Sequence, residues 1–303
     1  MAIGDSAKIV AVCDIDESKK DIVPNAKFYT DYKQMLTKED IDVVHICTPH
    51  YLHAEMVIFA LENNVNVFCE KPLCIKTEDI DKILLAEASS KAKLGVCMQN
   101  RYNQNNVFVK EYLKDKNIKG GVGYLSWNRG KPYYDSASWR GRWQTEGGGV
   151  MINQALHTFD IMQWLIGYPK EITASISNLS LKDDIEVEDT AVIVCKTESA
   201  KYTMFATNAN SYSFPVHICI RADEDTIEIT ENCVIINGEI KEFKPIGKCY
   251  GKDEYGTGHK TIIEDFYQAV KTGRDFELSG KEASKVIKMI LATYNSNGEK
   301  IQL

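Results

Sequence analysis

Two features of this chain are built from residue types that do chemistry: a lysine directly after a short apolar strand, and a helix with Asn, His and Asp on one side. Lys71 lies in Glu70-Lys71-Pro72, straight after the β-rich run Val65 to Cys69. Strands of this kind end at the ligand-binding edge of a parallel sheet, where loops carry function. Pro72 fixes its own φ and biases Lys71 toward an extended backbone, so the amine is held at a strand end. Lys before Pro is by itself usually an exposed turn, and the downstream residues decide the reading. Gly147-Gly148-Gly149 runs into a helix predicted over Val150 to Leu165, on which Asn153, His157 and Asp160 fall at i, i+4 and i+7. Such a polar stripe is unfavourable on an apolar helix unless it faces a cleft or finds partners. A lone His there is more often a satisfied interior residue, but three glycines allow close backbone approach of a ligand. Upstream, Tyr133-Tyr134 and Trp139-Arg140-Gly141-x-Trp143 interleave aromatic faces with a guanidinium. That set suits sugar hydroxyls or a nicotinamide ring, and equally an interdomain or subunit packing patch.

The elements that must position these groups fall into two kinds. Strands are predicted at Lys8 to Cys13 (ended by Asp14), Val43 to Cys47 (ended by Thr48-Pro49), Val65 to Cys69 and Leu94 to Met98. Helices alternate with them at Asp31 to Leu36, His53 to Leu61 and Thr77 to Ser89, the last capped by Thr77. Alternation implies βαβ units and a parallel sheet covered on both faces. Beyond Asn100 the strands become consecutive: Gly121 to Asn128, Glu171 to Leu179, Ala191 to Lys196, Lys201 to Thr207, Val216 to Ala222 and Thr226 to Ile229. Two helices close the chain, His259 to Lys271 and Lys281 to Asn297. The expected organisation is an α/β Rossmann-type domain over 1–98 and an α+β domain with an open, mostly antiparallel sheet over 99–303.

A doubly wound dinucleotide domain opens with a strand, Gly-x-Gly-x-x-Gly and a helix that holds the pyrophosphate. Here the strand ending at Asp14 has the character of the second one, because an acidic residue at that position meets the adenosine ribose. The first strand and the glycine turn are missing, and Gly4 alone cannot supply them. The expectation is therefore a first sheet lacking its first strand, and weak dinucleotide binding by the chain as written.

A length of 303 residues accommodates two domains. A net charge of −7 argues against nucleic-acid partners, which need a basic surface. No segment approaches the roughly 20 apolar residues of a membrane span, and Met1 to Asp5 has no signal-peptide character. Nine cysteines is an odd count with no Cys-x-x-Cys, and Cys13, Cys47, Cys69 and Cys97 lie in or at the end of apolar strands. That is the pattern of small buried hydrophobes in a reducing cytoplasm, not of a disulfide frame or a metal site.

Asp14-Ile15-Asp16, Thr48-Pro49 with His53, Glu70-Lys71-Pro72, Asn100-Arg101-Tyr102, Gly147-Gly148-Gly149 with Asn153 and His157, and Gly258-His259 together resemble the glucose–fructose oxidoreductase / inositol dehydrogenase (Gfo/Idh/MocA) family over essentially the whole chain. Gln99 to Asn103, Tyr133-Tyr134-Asp135, Asn153-Gln154-Ala155 and Glu186-Val187-Glu188-Asp189-Thr190 are similar to its branch containing UDP-N-acetylglucosaminuronate 3-dehydrogenases. The resemblance implies NAD-dependent oxidation or reduction of a secondary hydroxyl on a sugar, nucleotide-sugar or cyclitol, in a homodimer or homotetramer formed through the C-terminal sheet. It implies Lys71, His157 and Asn153 as catalytic. The cofactor would lie against Asp14, Ile15, Cys47, Thr48, Pro49, His53, Glu70, Lys71, Asn100, Trp139 and Arg140. Substrate would meet Lys71, Arg101, Tyr134, Asn153 and His157. Where relatives carry a carboxylate four residues before the histidine, this chain has Asn153, which shifts the role of base toward Lys71. Two other readings stay open: a sugar-binding or regulatory protein without redox activity, and a relative that performs net non-redox glycoside chemistry through transient oxidation.

Overall fold

The computed structural model of the protein describes residues 6–244 and 257–303; Met1 to Asp5, with Gly4 and the signal-peptide reading, lie outside them. Apolar runs bounded by polar turns give β1 (Ala11–Cys13), β2 (Lys27–Tyr29), α1 (Tyr32–Lys38), β3 (Val43–Ile46), α2 (His53–Glu62), β4 (Asn66–Cys69), α3 (Thr77–Ser89) and β5 (Leu94–Val96). All their pairings are parallel, in two pieces, β1-β2 and β3-β4-β5. No described strand joins β1 to β3. That gap is where the first strand of a doubly wound sheet belongs. Thr77 is not the cap expected of it: it is the first residue of α3, Lys76 holds the N-cap position, and no side chain caps there.

The second part contains α4 (Gln104–Tyr112), β6 (Ile118–Ser126), α5 (Lys131–Tyr134), α6 (Val150–Asn153), α7 (Leu156–Ile166), β7 (Glu171–Ser177), β8 (Thr190–Lys196), β9 (Lys201–Thr207), β10 (His217–Ala222), β11 (Asp225–Ile229), β12 (Cys233–Ile236), β13 (Glu239–Glu242), α8 (Gly258–Thr272), α9 (Gly280–Ser296) and β14 (Lys300–Gln302). Among the described residues its sheet has nine strands in the order β13-β12-β11-β10-β6-β9-β8-β7-β14. Every neighbouring pair is antiparallel except β6 and β9. The helix α7 lies on this sheet, and close approach needs glycine there: a Cβ on Gly123 would meet the Met162 sulfur at 2.2 Å.

The chain then returns to the first domain. Ser279 N-caps α9, its hydroxyl accepting from Glu282 N–H, and the helix buries Ala283, Val286, Ile287 and Ile290 at helical spacing. Val96 N–H donates to the Leu278 carbonyl at 2.9 Å, and Phe266 of α8 with Phe276 fills the space over Gly95. The core is thus continuous across the 98/99 boundary.

The single helix expected over Val150 to Leu165 is two. α6 ends at Asn153 and α7 starts at Leu156. At the break, Ala155 N–H reaches back to the Val150 carbonyl at 2.8 Å, and the Asn153 carbonyl accepts from Lys71 Nζ at 2.7 Å. A carbonyl that an α-helix would use at i+4 is released to hold the lysine.

Candidate active site

The C-terminal ends of β3 and β4 and the segment before α6 enclose a cleft of about 690 Å³. Cys47, Thr48, His50, Glu70 and Lys71 line one side; Pro132, Tyr133, Ser136, Trp139, Arg140 and Asn153 line the other. Parallel strands release their loops on this edge, which is why residues far apart in sequence meet here.

Lys71 is the centre of the site. Its ammonium donates to the Asn153 carbonyl (2.7 Å) and to Asn153 Oδ1 (3.0 Å), both uncharged oxygens. Burial lowers its pKa to about 8, against the opposing pull of the Glu70 and Glu146 carboxylates. The Asn153 amide is oriented by these contacts, and its Nδ2 donates to Glu146 Oε1 and to Tyr133 Oη, the latter at 3.1 Å. Glu146 is 0% exposed; its other oxygen accepts from Gly141 N–H, and burial raises its pKa. Tyr133 Oη also accepts from Arg140 and, at 2.9 Å, from Gln154. The Arg140 guanidinium lies over the Tyr133 and Trp139 rings.

His157 starts behind the lysine, on the first turn of α7. Cys97 Sγ donates to Gln99 Oε1, which turns the Gln99 NH₂ toward His157 Nε2 at 3.2 Å. His157 Nε2 is then the acceptor, and the ring proton sits on Nδ1. Burial, reinforced by the Lys71 charge, holds the imidazole well below its ordinary pKa and therefore neutral at pH 7. His157 is not among the residues lining the cleft that holds Lys71 and Asn153. Glu70, Cys97 and His259 each offer a ligand atom within 4.8 Å of one another. The charge of Lys71 interacts with Glu70 and Cys97, so a cation already stands beside this group.

Several expected site residues lie elsewhere. Arg101 is 4% exposed and committed to the protein: its Nε and Nη2 clamp Asp160 at 2.7 and 2.6 Å, and Nη1 reaches Glu282 at 3.0 Å. It does not face the cleft, and Asp160 leaves the predicted polar stripe to pair with it. Tyr134 is buried with Ile185 and Val187 while its hydroxyl accepts from Asn208; its neighbour Tyr133 lines the cleft instead. His53 is fully buried, between the carbonyls of Pro72 (2.7 Å) and Thr48 (2.8 Å), and ties the two strand-end loops together rather than facing a ligand. Ile15 is 91% exposed. Asn100 borders a separate pocket of about 390 Å³ with Asn103, Trp127 and Phe214. Pro49 N-caps the turn His50–Leu52 without lining the cleft, and Cys47 is exposed at its rim rather than buried. Asp14 ends β1, with one carboxylate oxygen accepting Asp16 N–H at 2.9 Å.

The glycine run has a different cause from the one expected. A Cβ on Gly147, Gly148 or Gly149 would meet Ile75 (2.4 Å), the Tyr294 hydroxyl (2.0 Å) or the Glu188 carbonyl (1.9 Å). What approaches these glycines is the protein itself, two side chains and one backbone carbonyl. Glu188 accepts from Gly149 N–H at 2.7 Å and Met151 N–H at 2.9 Å, which fixes the start of α6. Sequence reasoning missed Glu146 and His50. Glu146 had a signal, an acidic residue directly before a glycine run. His50, whose Nδ1 contacts the Glu146 carbonyl at 2.8 Å, lies next to the Thr48-Pro49 pair already singled out.

Comparison with known proteins agrees with this geometry. A family model described as an oxidoreductase family with an NAD-binding Rossmann fold (GFO_IDH_MocA) matches residues 1–98, and one described as the GFO/IDH/MocA C-terminal domain matches residues 112–229. A myo-inositol 2-dehydrogenase of Thermotoga maritima is 22% identical over 315 residues, covering 98% of this chain and 90% of its own. An inositol 2-dehydrogenase of Rhizobium meliloti is 25% identical over 272 residues, covering 87% and 81%. The WlbA dehydrogenase of Bordetella pertussis, solved in complex with NADH and UDP-GlcNAcA, superimposes with a TM-score of 0.86 at 25% identity, covering 100% of this chain and 93% of that one. With both domain models matched in order, the chain belongs to the Gfo/Idh/MocA family of oxidoreductases, with an NAD-binding Rossmann domain at its N-terminal end.

Proposed function

We propose that this protein oxidises a secondary hydroxyl of a sugar or nucleotide-sugar with NAD, with Lys71 as the general base. The observation that carries the reading is the Lys71 ammonium at the rim of the cleft, held only by neutral oxygens and with its pKa lowered to about 8. A neutral amine at that position takes the hydroxyl proton and becomes the ammonium that Asn153 is placed to stabilise. His157 stands behind the lysine as a neutral imidazole, its Nε2 engaged by Gln99 and its Nδ1 without a hydrogen-bond partner among the described residues. The residues at the cleft fit the cofactor: Thr48, Glu70 and Lys71 stand at strand ends where a nicotinamide belongs, and Asp14 has a carboxylate oxygen free of Asp16 N–H for a ribose hydroxyl. Thr48, Glu70 and Lys71 would hold the nicotinamide, whose chemistry there would be to take up a hydride from the carbinol carbon.

The likeness to a dehydrogenase solved with UDP-GlcNAcA supports a nucleotide-sugar acid over a cyclitol, as does the Arg140 guanidinium on the cleft wall. The deciding experiment follows NADH absorbance with UDP-sugar acids, neutral UDP-sugars and myo-inositol in parallel. Turnover restricted to the acids supports the finer reading; turnover of inositol alone overturns it, and no turnover of any hydroxyl overturns the whole.

The oligomer proposed is a pair or tetramer joined through the C-terminal sheet. Val122 and Tyr124 of β6 and Val192 and Val194 of β8 stand exposed on one face of it. Sedimentation separates this from a monomer. A cytoplasmic setting is proposed on the cysteine pattern, and Cys69 and Cys97 are buried as thiols. Among the described residues no helix is long and apolar enough to cross a membrane.

A further inference from the structure

We propose that Glu146, acting through the Asn153 amide, is a positioning residue that favours the ammonium form of Lys71. The inference deepens the proposed function and rests on Lys71 being the base.

Three groups stand in a row. The Lys71 ammonium points at Asn153 Oδ1 from 3.0 Å, which fixes which end of the amide faces it. The opposite end, Nδ2, donates to Glu146 Oε1. The order is therefore ammonium, amide oxygen, amide nitrogen, carboxylate, with the dipole of Asn153 aligned between opposite charges. Glu146 is shut off from water, so its charge acts through a low dielectric and is screened little by salt. Its second oxygen is fixed by Gly141 N–H. Gly141 takes φ 73°, the left-handed region, and a Cβ there would meet Ile185 at 2.7 Å, so this loop is built to deliver the N–H.

The interposed amide matters in magnitude. A carboxylate in direct contact forms an ion pair and keeps a lysine charged far above neutrality. One amide further away, the carboxylate favours the ammonium without locking it. Other groups also face the lysine: Glu70 at the end of β4, Cys97 after β5, Arg140 on the far wall, His50 after β3, His53 at the start of α2 and His157 on α7. Glu70 raises the ammonium's stability and Arg140 lowers it. Glu146 alone of the acids is connected to Lys71 through Asn153, the residue that accepts both of the lysine's hydrogen bonds.

The test reads the lysine directly. Lys71 is labelled with acetic anhydride across a pH series, with no substrate or cofactor added, and the peptide is quantified by mass spectrometry. In Glu146→Gln the midpoint of labelling should move to lower pH by about one unit, a roughly tenfold change in the neutral fraction at fixed pH. Glu146→Asp should return it toward the parent. In Asn153→Asp, which brings the charge into contact, the midpoint should rise. The pH midpoint of kcat/KM should move with each. An unchanged labelling midpoint in Glu146→Gln, or a uniform loss of rate at every pH, would mean that the carboxylate only braces the loop, and overturns the proposal. Should Glu146→Gln not fold, Asn153→Asp decides alone: no rise overturns it. Labelling that shifts in a protein that oxidises no sugar leaves this inference standing and removes the proposed function; the reverse pattern does the opposite.

Discussion

Lys71 and Arg101 are two cations at the C-terminal edge of the same parallel sheet, both meeting the broken helix α6–α7, and the protein treats them oppositely. Arg101 works against burial, but Asp160 and Glu282 outweigh it and its pKa is raised. The fork-to-carboxylate geometry satisfies its donors, and Trp164 covers its face at 5.4 Å. Lys71 meets only the amide and carbonyl of Asn153, and its pKa falls. The helix supplies a carboxylate to one and an amide to the other, seven residues apart. A matched cation is structure. A cation left with neutral acceptors keeps a proton it can give up at physiological pH.

The comparison is tested hardest at Arg101. Arg101→Met leaves Asp160 buried without a counter-charge, and breaking such a pair costs about 3–5 kcal/mol. Urea unfolding should show that loss, while kcat per folded molecule changes little. A raised KM with unchanged stability would instead return Arg101 to the substrate site. The converse change is Lys71→Ala. It should cut kcat by about 10²-fold or more, a general-base effect, and leave the circular dichroism spectrum and melting temperature near the parent values. Near-normal turnover would remove Lys71 from the chemistry.

A smaller effect sharpens the contrast through pH. The folded pKa of Lys71 is about 8, below its ordinary value of 10.5, and the neutral form is the base. In the direction of alcohol oxidation, kcat/KM should therefore rise about tenfold per pH unit below 8 and level off above it. In the reductive direction the ammonium is the acid, and the profile should fall across the same midpoint. Arg101 has no such titration, so a profile surviving in Lys71→Arg would assign the midpoint to another group.

How far the sequence alone reached follows the same division between local pattern and distant partner. Apart from β2, the strand and helix alternation up to Val96 was legible because each element carries its own apolar period, and Lys71 was legible because Pro72 follows a strand. The β12–β13 hairpin was missed although its turn, Asn237-Gly238, carries the positive φ pair of a two-residue hairpin, 52° and 88°. β14 and β2 are three-residue edge strands, too short for a period to show. The break at Gln154 has no local signal at all, since it depends on a lysine more than eighty residues earlier taking the Asn153 carbonyl. The glycine run was legible as close packing and misread in its partner: Glu188 and Tyr294 arrive from elements whose contact no spacing encodes. Arg101 and Tyr134 failed for one reason, that a polar residue beside a motif is equally able to face the cleft or the core.

The weakest charge in the set marks the lower end of the comparison. Asp14 is half-exposed at the end of β1, and its carboxylate has only Asp16 N–H as a described side-chain contact. A charge so placed acts through solvent. Against a second negative group at about 4 Å, water reduces the repulsion to about 1 kcal/mol, and a protein surface raises it to about 4. A 2′-phosphate on the adenosine ribose is such a group, so the carboxylate should favour NADH over NADPH by about tenfold, well below the effects at Arg101 and Lys71. In Asp14→Ser the hydroxyl keeps a hydrogen bond to the ribose and removes the charge. The ratio of the two dissociation constants, from NADH and NADPH fluorescence titrations, should then approach one, and the parent preference should shrink as salt is raised, because an exposed charge is screened while the buried pair at Arg101 is not. A parent that binds NADPH more tightly, or a preference indifferent to both salt and the serine, would show that cofactor choice is made by another part of the first domain.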